Sequence, residues 1–117
     1  MPSLRSRSVD EPVVDLATGD GRGPLWGAAS NDLNATLLVW PPGDGPPEHV
    51  NDERDVLVVV VAGDGVLELD GEPRPLRAPA AALIAKGARR RLVAGRGGIR
   101  YVSAHLARGG LRIRPSS

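Results

Sequence analysis

The stretch Asp55-Val56-Leu57-Val58-Val59-Val60-Val61-Ala62-Gly63-Asp64-Gly65-Val66-Leu67-Glu68-Leu69-Asp70-Gly71-Glu72 decides the fold class of this chain. Val clusters of this kind favour strands, because a side chain branched at Cβ is stiff in a helix and packs well on a pleated surface. Gly63-Asp64-Gly65 and Asp70-Gly71-Glu72 read as turns between runs, since Gly and Asp tolerate the positive φ that hairpin turns need. From Leu57 to Val61 every position is apolar, so neither side of that strand is built for water. One side is expected to face a barrel interior, and the other a second layer or a partner subunit.

Working outward, the same short apolar runs recur between Gly, Pro and Asp at residues 25–29, 34–40, 55–62, 65–70, 81–85, 89–94 and 99–107, the pattern of an all-β sandwich or barrel. Neighbouring strands are expected to pair antiparallel. Asp10-Glu11-Pro12 is read as opening one short N-terminal helix through Leu16, with Asp as N-cap and Pro in the first turn, before the Gly-rich residues 19–24 break it. Residues 1–8 and 112–117 are polar tails read as disordered, which leaves 9–111 as a single domain.

Composition bounds the function. The 117 residues suffice for one core without disulfides or a structural metal, and the core must be aliphatic, because aromatics are 3% and there is no Phe. Of 15 basic residues only Lys86 is a lysine, the bias of a GC-rich, bacterial coding sequence. A net charge of +1 does not supply the basic surface that nucleic acid requires, so no nucleic-acid partner is expected. Without Cys there is no thiolate metal site and no thiol nucleophile. No apolar stretch forms a signal peptide or reaches bilayer length, so the reading is a cytoplasmic protein with no membrane partner. The glycines of 19–23 lack the Lys-Ser/Thr ending of a phosphate-binding loop, and no Ser lies in a Gly-x-Ser-x-Gly elbow.

Pro42-Gly43-Asp44-Gly45-Pro46-Pro47-Glu48-His49-Val50-Asn51, with the Val run and Gly63 behind it, resembles the first motif of the cupin superfamily: Gly, five residues, His-x-His, three or four residues, Glu, six residues, Gly. Gly43, His49 and Gly63 match; Asn51 stands at the second His and Val56 at the Glu. The second motif, Gly, five residues, Pro-x-Gly, two residues, His, three residues, Asn, overlays Pro79 to Ala94. There Gly87 is kept, while Ala85, Arg90 and Ala94 stand at the Pro, His and Asn. The resemblance implies an antiparallel cupin-type β-barrel, a double-stranded β-helix or jelly roll. It further implies that the places of the usual three-His, one-Glu metal site are taken by His49, Asn51, Val56 and Arg90.

Of these four only His49 is a competent transition-metal ligand, because Asn offers a weak carbonyl oxygen, Val nothing, and a guanidinium no lone pair. No catalytic residue and no cofactor is therefore assigned; a divalent transition metal, held through His49, is the minority alternative. Asp55 and Glu53 lie close in sequence to the Glu position, but strand alternation points Asp55 away from the lumen unless a bulge intervenes. His105 reaches His49 only if it too faces inward. Alternation along Arg89-Arg90-Arg91 sends Arg90 to one face and its neighbours to the other, and a one-residue slip would exchange them.

His49, Asn51 and Arg90 together suit a small anionic or polar metabolite, with Arg as a planar fork of donors. Against this stands pairing of Arg90 with Glu48 or Glu53 and a merely structural His49. Three functions follow. The first is a non-catalytic, ligand-binding cupin using His49, Asn51 and Arg90. The second is a metal-dependent isomerase or dioxygenase-like cupin with rearranged ligands. The third is a structural homodimer, motivated by the two-sided Val run. Trp26 and Trp40 line either the mouth, an interface or the core.

Overall fold

A computed structural model describes Arg5–Arg7 as backbone and residues 13–107 in full. Eight strands make one sheet: β1 (Arg5–Arg7), β2 (Gly23–Ala29), β3 (Leu33–Trp40), β4 (His49–Val50), β5 (Val56–Leu69), β6 (Glu72–Arg77), β7 (Ala80–Ile84) and β8 (Arg89–Leu106). Their order is β1-β2-β3-β8-β5-β6, with β4 also on β8 and β7 also on β5. Every pairing is antiparallel except β1 on β2, which lies within the tail expected to be disordered. Residues 1–4, 8–12 and 108–117 fall outside the described residues, and with them most of both expected tails.

The long strands β5 and β8 make the barrel. The first half of β5 (Leu57 to Gly63) pairs with Ala104 to Ile99, and the second half (Gly65 to Leu69) with Ala94 to Arg90. The register shifts twice, between Val60 and Ala62 and between Gly63 and Gly65, so the ladder bends instead of ending. The bend creates two layers: β2, β3, the later part of β8, early β5 and β7 in one; β4, early β8, late β5 and β6 in the other. Val56, Val58, Val60, Ile99 and Tyr101 of the first layer meet Leu67, Leu76 and Leu92 of the second in one buried cluster. This is the jelly-roll arrangement.

Gly63-Asp64-Gly65 is thus a bulge inside a strand and not the expected hairpin turn. Gly63 has φ 79°, and a Cβ there would lie 2.1 Å from the Gly98 carbonyl oxygen, so the bend needs a residue without one. Asp70-Gly71 is a hairpin turn as expected: both residues have positive φ, 51° and 86°, and Leu69 pairs with Glu72 across the two-residue loop. The strand that follows was not expected, because Pro73 and Pro75 interrupt it. They are two residues apart, so both nitrogens point to the same side, the open edge of the sheet where no N–H is needed.

The expected N-terminal helix is absent over Val13 to Leu16, and 10–12 lie outside the described residues. A single turn is too short to repay helix nucleation, and its backbone is claimed elsewhere. The Asp15 carboxylate accepts the Ala17 N–H at 2.9 Å, and Arg100 donates to the carbonyls of Leu16 at 2.9 Å, Thr18 at 3.0 Å and Gly19. This segment lies across the outer face of the first layer beside Val61 and Ala62. Farther along that face Leu57, Leu83, Leu33 and Leu106 remain exposed. Among the described residues no helix is long and apolar enough to cross a membrane.

Candidate functional site

The space between the layers is a cavity of about 240 Å³. Leu38, Val58, Leu67, Leu76, Ile84 and Leu92 form its apolar wall, Pro46, Pro47, Glu48 and His49 approach along one side, and Arg90, Tyr101 and Ser103 add the remaining polar groups. Alternation on β8 explains the last set: Arg90 and Leu92 face inward before the bulges, Tyr101 and Ser103 after them.

Arg90 faces the lumen, while Arg89 and Arg91 are exposed. It pairs across the ladder with His49, so the two share one face, with His49 exposed at the mouth. Arg90 Nη1 is buried and has no hydrogen-bond partner among the described residues. Burial disfavours the charged guanidinium and lowers its pKa, with the nearby Tyr101 acting weakly the other way. The two acidic residues that could have paired with it are engaged with other arginines: Glu48 lies 3.8 Å from Arg89 Nε and Glu53 3.2 Å from Arg54 Nη1.

Asn51 does not line the cavity. Its Oδ1 accepts the N–H groups of Glu53 at 2.9 Å and Arg54 at 3.1 Å, and its carbonyl accepts the Gly87 N–H at 2.7 Å. It holds the β4–β5 loop against the β7–β8 turn. His105 also stands apart from the lining, with Nδ1 2.8 Å from the Leu106 carbonyl.

Two residues that sequence reasoning passed over belong to the site. Tyr101 is 4% exposed, and its hydroxyl oxygen accepts the Trp40 Nε1–H at 3.0 Å. Burial raises the phenol above its ordinary value, and the Trp40 hydrogen bond and the Arg90 charge oppose that rise. Ser103 is its inward neighbour on the strand. The available signal was the lone Tyr of a chain without Phe, two places before Ser103 on an alternating strand.

The metal that the cupin motif implies does not fit these residues. Val56 is 1% exposed in the apolar core, Asn51 is turned to its loop, and Arg90 brings a cation where a ligand would stand. Asp55 does not rescue the site, since its carboxylate accepts the Lys86 N–H at 2.9 Å. Among the described residues no three His, Cys, Asp or Glu side chains converge.

No family model and no curated protein matches the sequence. Solved structures do. A cupin protein from Bacteroides fragilis is 22% identical over 71% of this chain and 72% of its own, with a TM-score of 0.61. KdgF from a Halomonas species is 24% identical over 73% and 76%, with a TM-score of 0.64. TT1209 from Thermus thermophilus is 19% identical over 80% and 95%, with a TM-score of 0.66. The likeness to these proteins is one of overall fold, and the chain is a small cupin-fold domain.

Proposed function

We propose that the barrel binds a small organic anion in its lumen without the usual cupin metal, through Arg90, with His49 at the mouth. The observation that carries this reading is the buried, unpartnered Arg90 Nη1 facing a cavity of about 240 Å³. A buried guanidinium nitrogen without an acceptor is unfavourable, and a carboxylate or phosphate oxygen is the partner it fits best. Asn51 then serves the site indirectly, by fixing the loop behind His49.

The test is a thermal-shift screen of organic and inorganic anions on the wild type and Arg90→Ala. A ligand at a hundred times its Kd adds about 2.7 kcal/mol, several degrees in a domain of this size. At least one anion is expected to raise the wild-type midpoint by that much and to leave Arg90→Ala unmoved. Equal shifts in both proteins, or none in the wild type, would defeat the reading.

A second copy of the chain is the proposed protein partner, and the outer face favours it. Leu33 pairs with Leu106, and Leu57 lies between Ala104 and Leu83, so the register sets four exposed leucines in one stripe across β3, β8, β5 and β7. Light scattering at micromolar concentration is expected to give twice the chain mass, in a cytoplasmic protein; a monomer would count against it.

A further inference from the structure

Three features of the lumen narrow the ligand class, on the reading that an anion binds beside Arg90. The first is charge. Among the described residues Arg90 is the only Arg or Lys in the lining, and Glu48 at the mouth brings a carboxylate of its own. A dianion would leave one charge without a partner in a poorly solvated space, whereas a single anionic charge is matched.

The second feature is the wall. Leu38, Val58, Leu67, Leu76, Ile84 and Leu92 offer no hydrogen bonds, so a polyhydroxylated body would lose its water contacts and gain nothing. At a water's share of about 30 Å³, the cavity of about 240 Å³ has room for roughly eight non-hydrogen groups.

The third is the Tyr101 hydroxyl. Trp40 Nε1–H donates to its oxygen at 3.0 Å, which fixes that oxygen as an acceptor on the Trp40 side. The hydroxyl proton has no acceptor among the described residues, and Tyr101 is 4% exposed on the cavity wall. Arg90 Nη1 is thus buried without a partner, and on the same cavity wall the Tyr101 hydroxyl accepts from Trp40 while its own proton stays free to be donated. A carboxylate has two oxygens, each able to take one of these donors.

We infer that the lumen takes a monocarboxylate with an apolar body, an aliphatic or aromatic acid of about six to nine non-hydrogen atoms. Arg90 and the Tyr101 hydroxyl share its carboxylate, and Trp40 is the positioning residue that turns the hydroxyl inward. The apolar tail lies along the leucine-rich wall.

Calorimetric titrations with hexanoate, benzoate, hexanamide, gluconate and inorganic phosphate test this on the wild type, Tyr101→Phe and Arg90→Ala. Hexanoate or benzoate is expected to bind the wild type one to one, with hexanamide, gluconate and phosphate each at least tenfold weaker. Loss of a hydrogen bond to a charged group is expected to weaken hexanoate about tenfold in Tyr101→Phe. The ligand series on the wild type decides the tail and charge claims even if Tyr101→Phe, which strips Trp40 of its acceptor, folds poorly. Gluconate or phosphate binding as tightly as hexanoate, and depending on Arg90, would overturn this inference while the broader anion reading stood. Unchanged hexanoate affinity in a folded Tyr101→Phe would remove Tyr101 from the site. If the wild type bound none of the five, this inference would fall, and the anion screen would decide the broader reading.

Discussion

The two faces of β5 are nearly identical in chemistry and opposite in fate. Val56, Val58 and Val60 are 1%, 5% and 1% exposed, whereas Leu57 and Val61, each one residue along, are 42% and 36% exposed. Their own hydropathy does not separate them; what lies across them does. The inner face meets the second layer and a lumen whose few polar groups include an unpartnered cation. The outer face meets the N-terminal segment at the Arg100 end and solvent at the Leu57 end. On the reading proposed above, the apolar wall with its buried donors takes a small ligand, and the apolar outer stripe takes another surface.

The comparison breaks most sharply with paired acidic substitutions. Val60→Asp buries a carboxylate with no partner and is expected to cost about 4 kcal/mol or more, enough to unfold a marginal domain. Val61→Asp, a neighbour on the other face, is expected to cost about 0.5 kcal/mol or less. Urea titration of the two variants measures both. Equal losses would mean that the outer face is as covered as the inner one.

Next in size is the place where the two faces trade parity. Even-numbered positions face inward up to Val60 and odd-numbered ones from Leu67, and the exchange falls within the two register shifts between Val60 and Gly65, where Gly63 makes the close approach. Gly63→Ala meets the Gly98 carbonyl and adds left-handed strain, an expected loss of about 3 kcal/mol. Gly87→Ala, at φ 88° with nothing within 4 Å of the new Cβ, carries the strain alone, about 1 kcal/mol. If the two variants melted together, the close approach at the bend would not be what demands glycine there.

These glycines also show how much was legible in the sequence. Gly43, Gly63 and Gly87, the glycines retained from the cupin pattern, all have positive φ, so the backbone half of the motif is kept for reasons of geometry. The altered half, Val56 and Arg90 above all, places an apolar core residue and a lumen-facing cation where the motif has ligands. What stayed hidden needed the third dimension. Asn51 sits at a ligand position by count, yet its amide serves a turn, a local role that no spacing reveals. Tyr101 is one strand residue among many until Trp40, 61 positions away, is laid against it. Gly-Asp-Gly signals a reversal equally well as a hairpin or as a bulge, and only the continued pairing of β5 with β8 distinguishes them.

A smaller effect of opposite sign sharpens the inner-face reading. Arg90 is half-buried, with a nitrogen lacking a partner, so Arg90→Met replaces a poorly solvated charge by an apolar chain of similar reach. The unliganded protein is expected to gain about 1 kcal/mol or less, since water at the mouth already relieves part of the penalty, while anion binding is lost. A thermal melt with and without hexanoate reads both. A destabilised variant would show that Arg90 serves the fold and not a ligand.

The smallest expected change in stability belongs to the outer stripe. Leu83 is 67% exposed on β7, paired with Leu57 and on the opposite face from Ile84, which is 3% exposed. Leu83→Asp is therefore expected to alter the stability of a single chain by no more than about 0.5 kcal/mol. At a subunit interface the same change buries a carboxylate against leucines, and the dimer is expected to dissociate. Light scattering and urea titration of this one variant separate the two faces: association lost with stability kept assigns the outer stripe to a second copy. Dimers persisting in Leu83→Asp would leave that stripe as plain surface and move the interface elsewhere on the barrel.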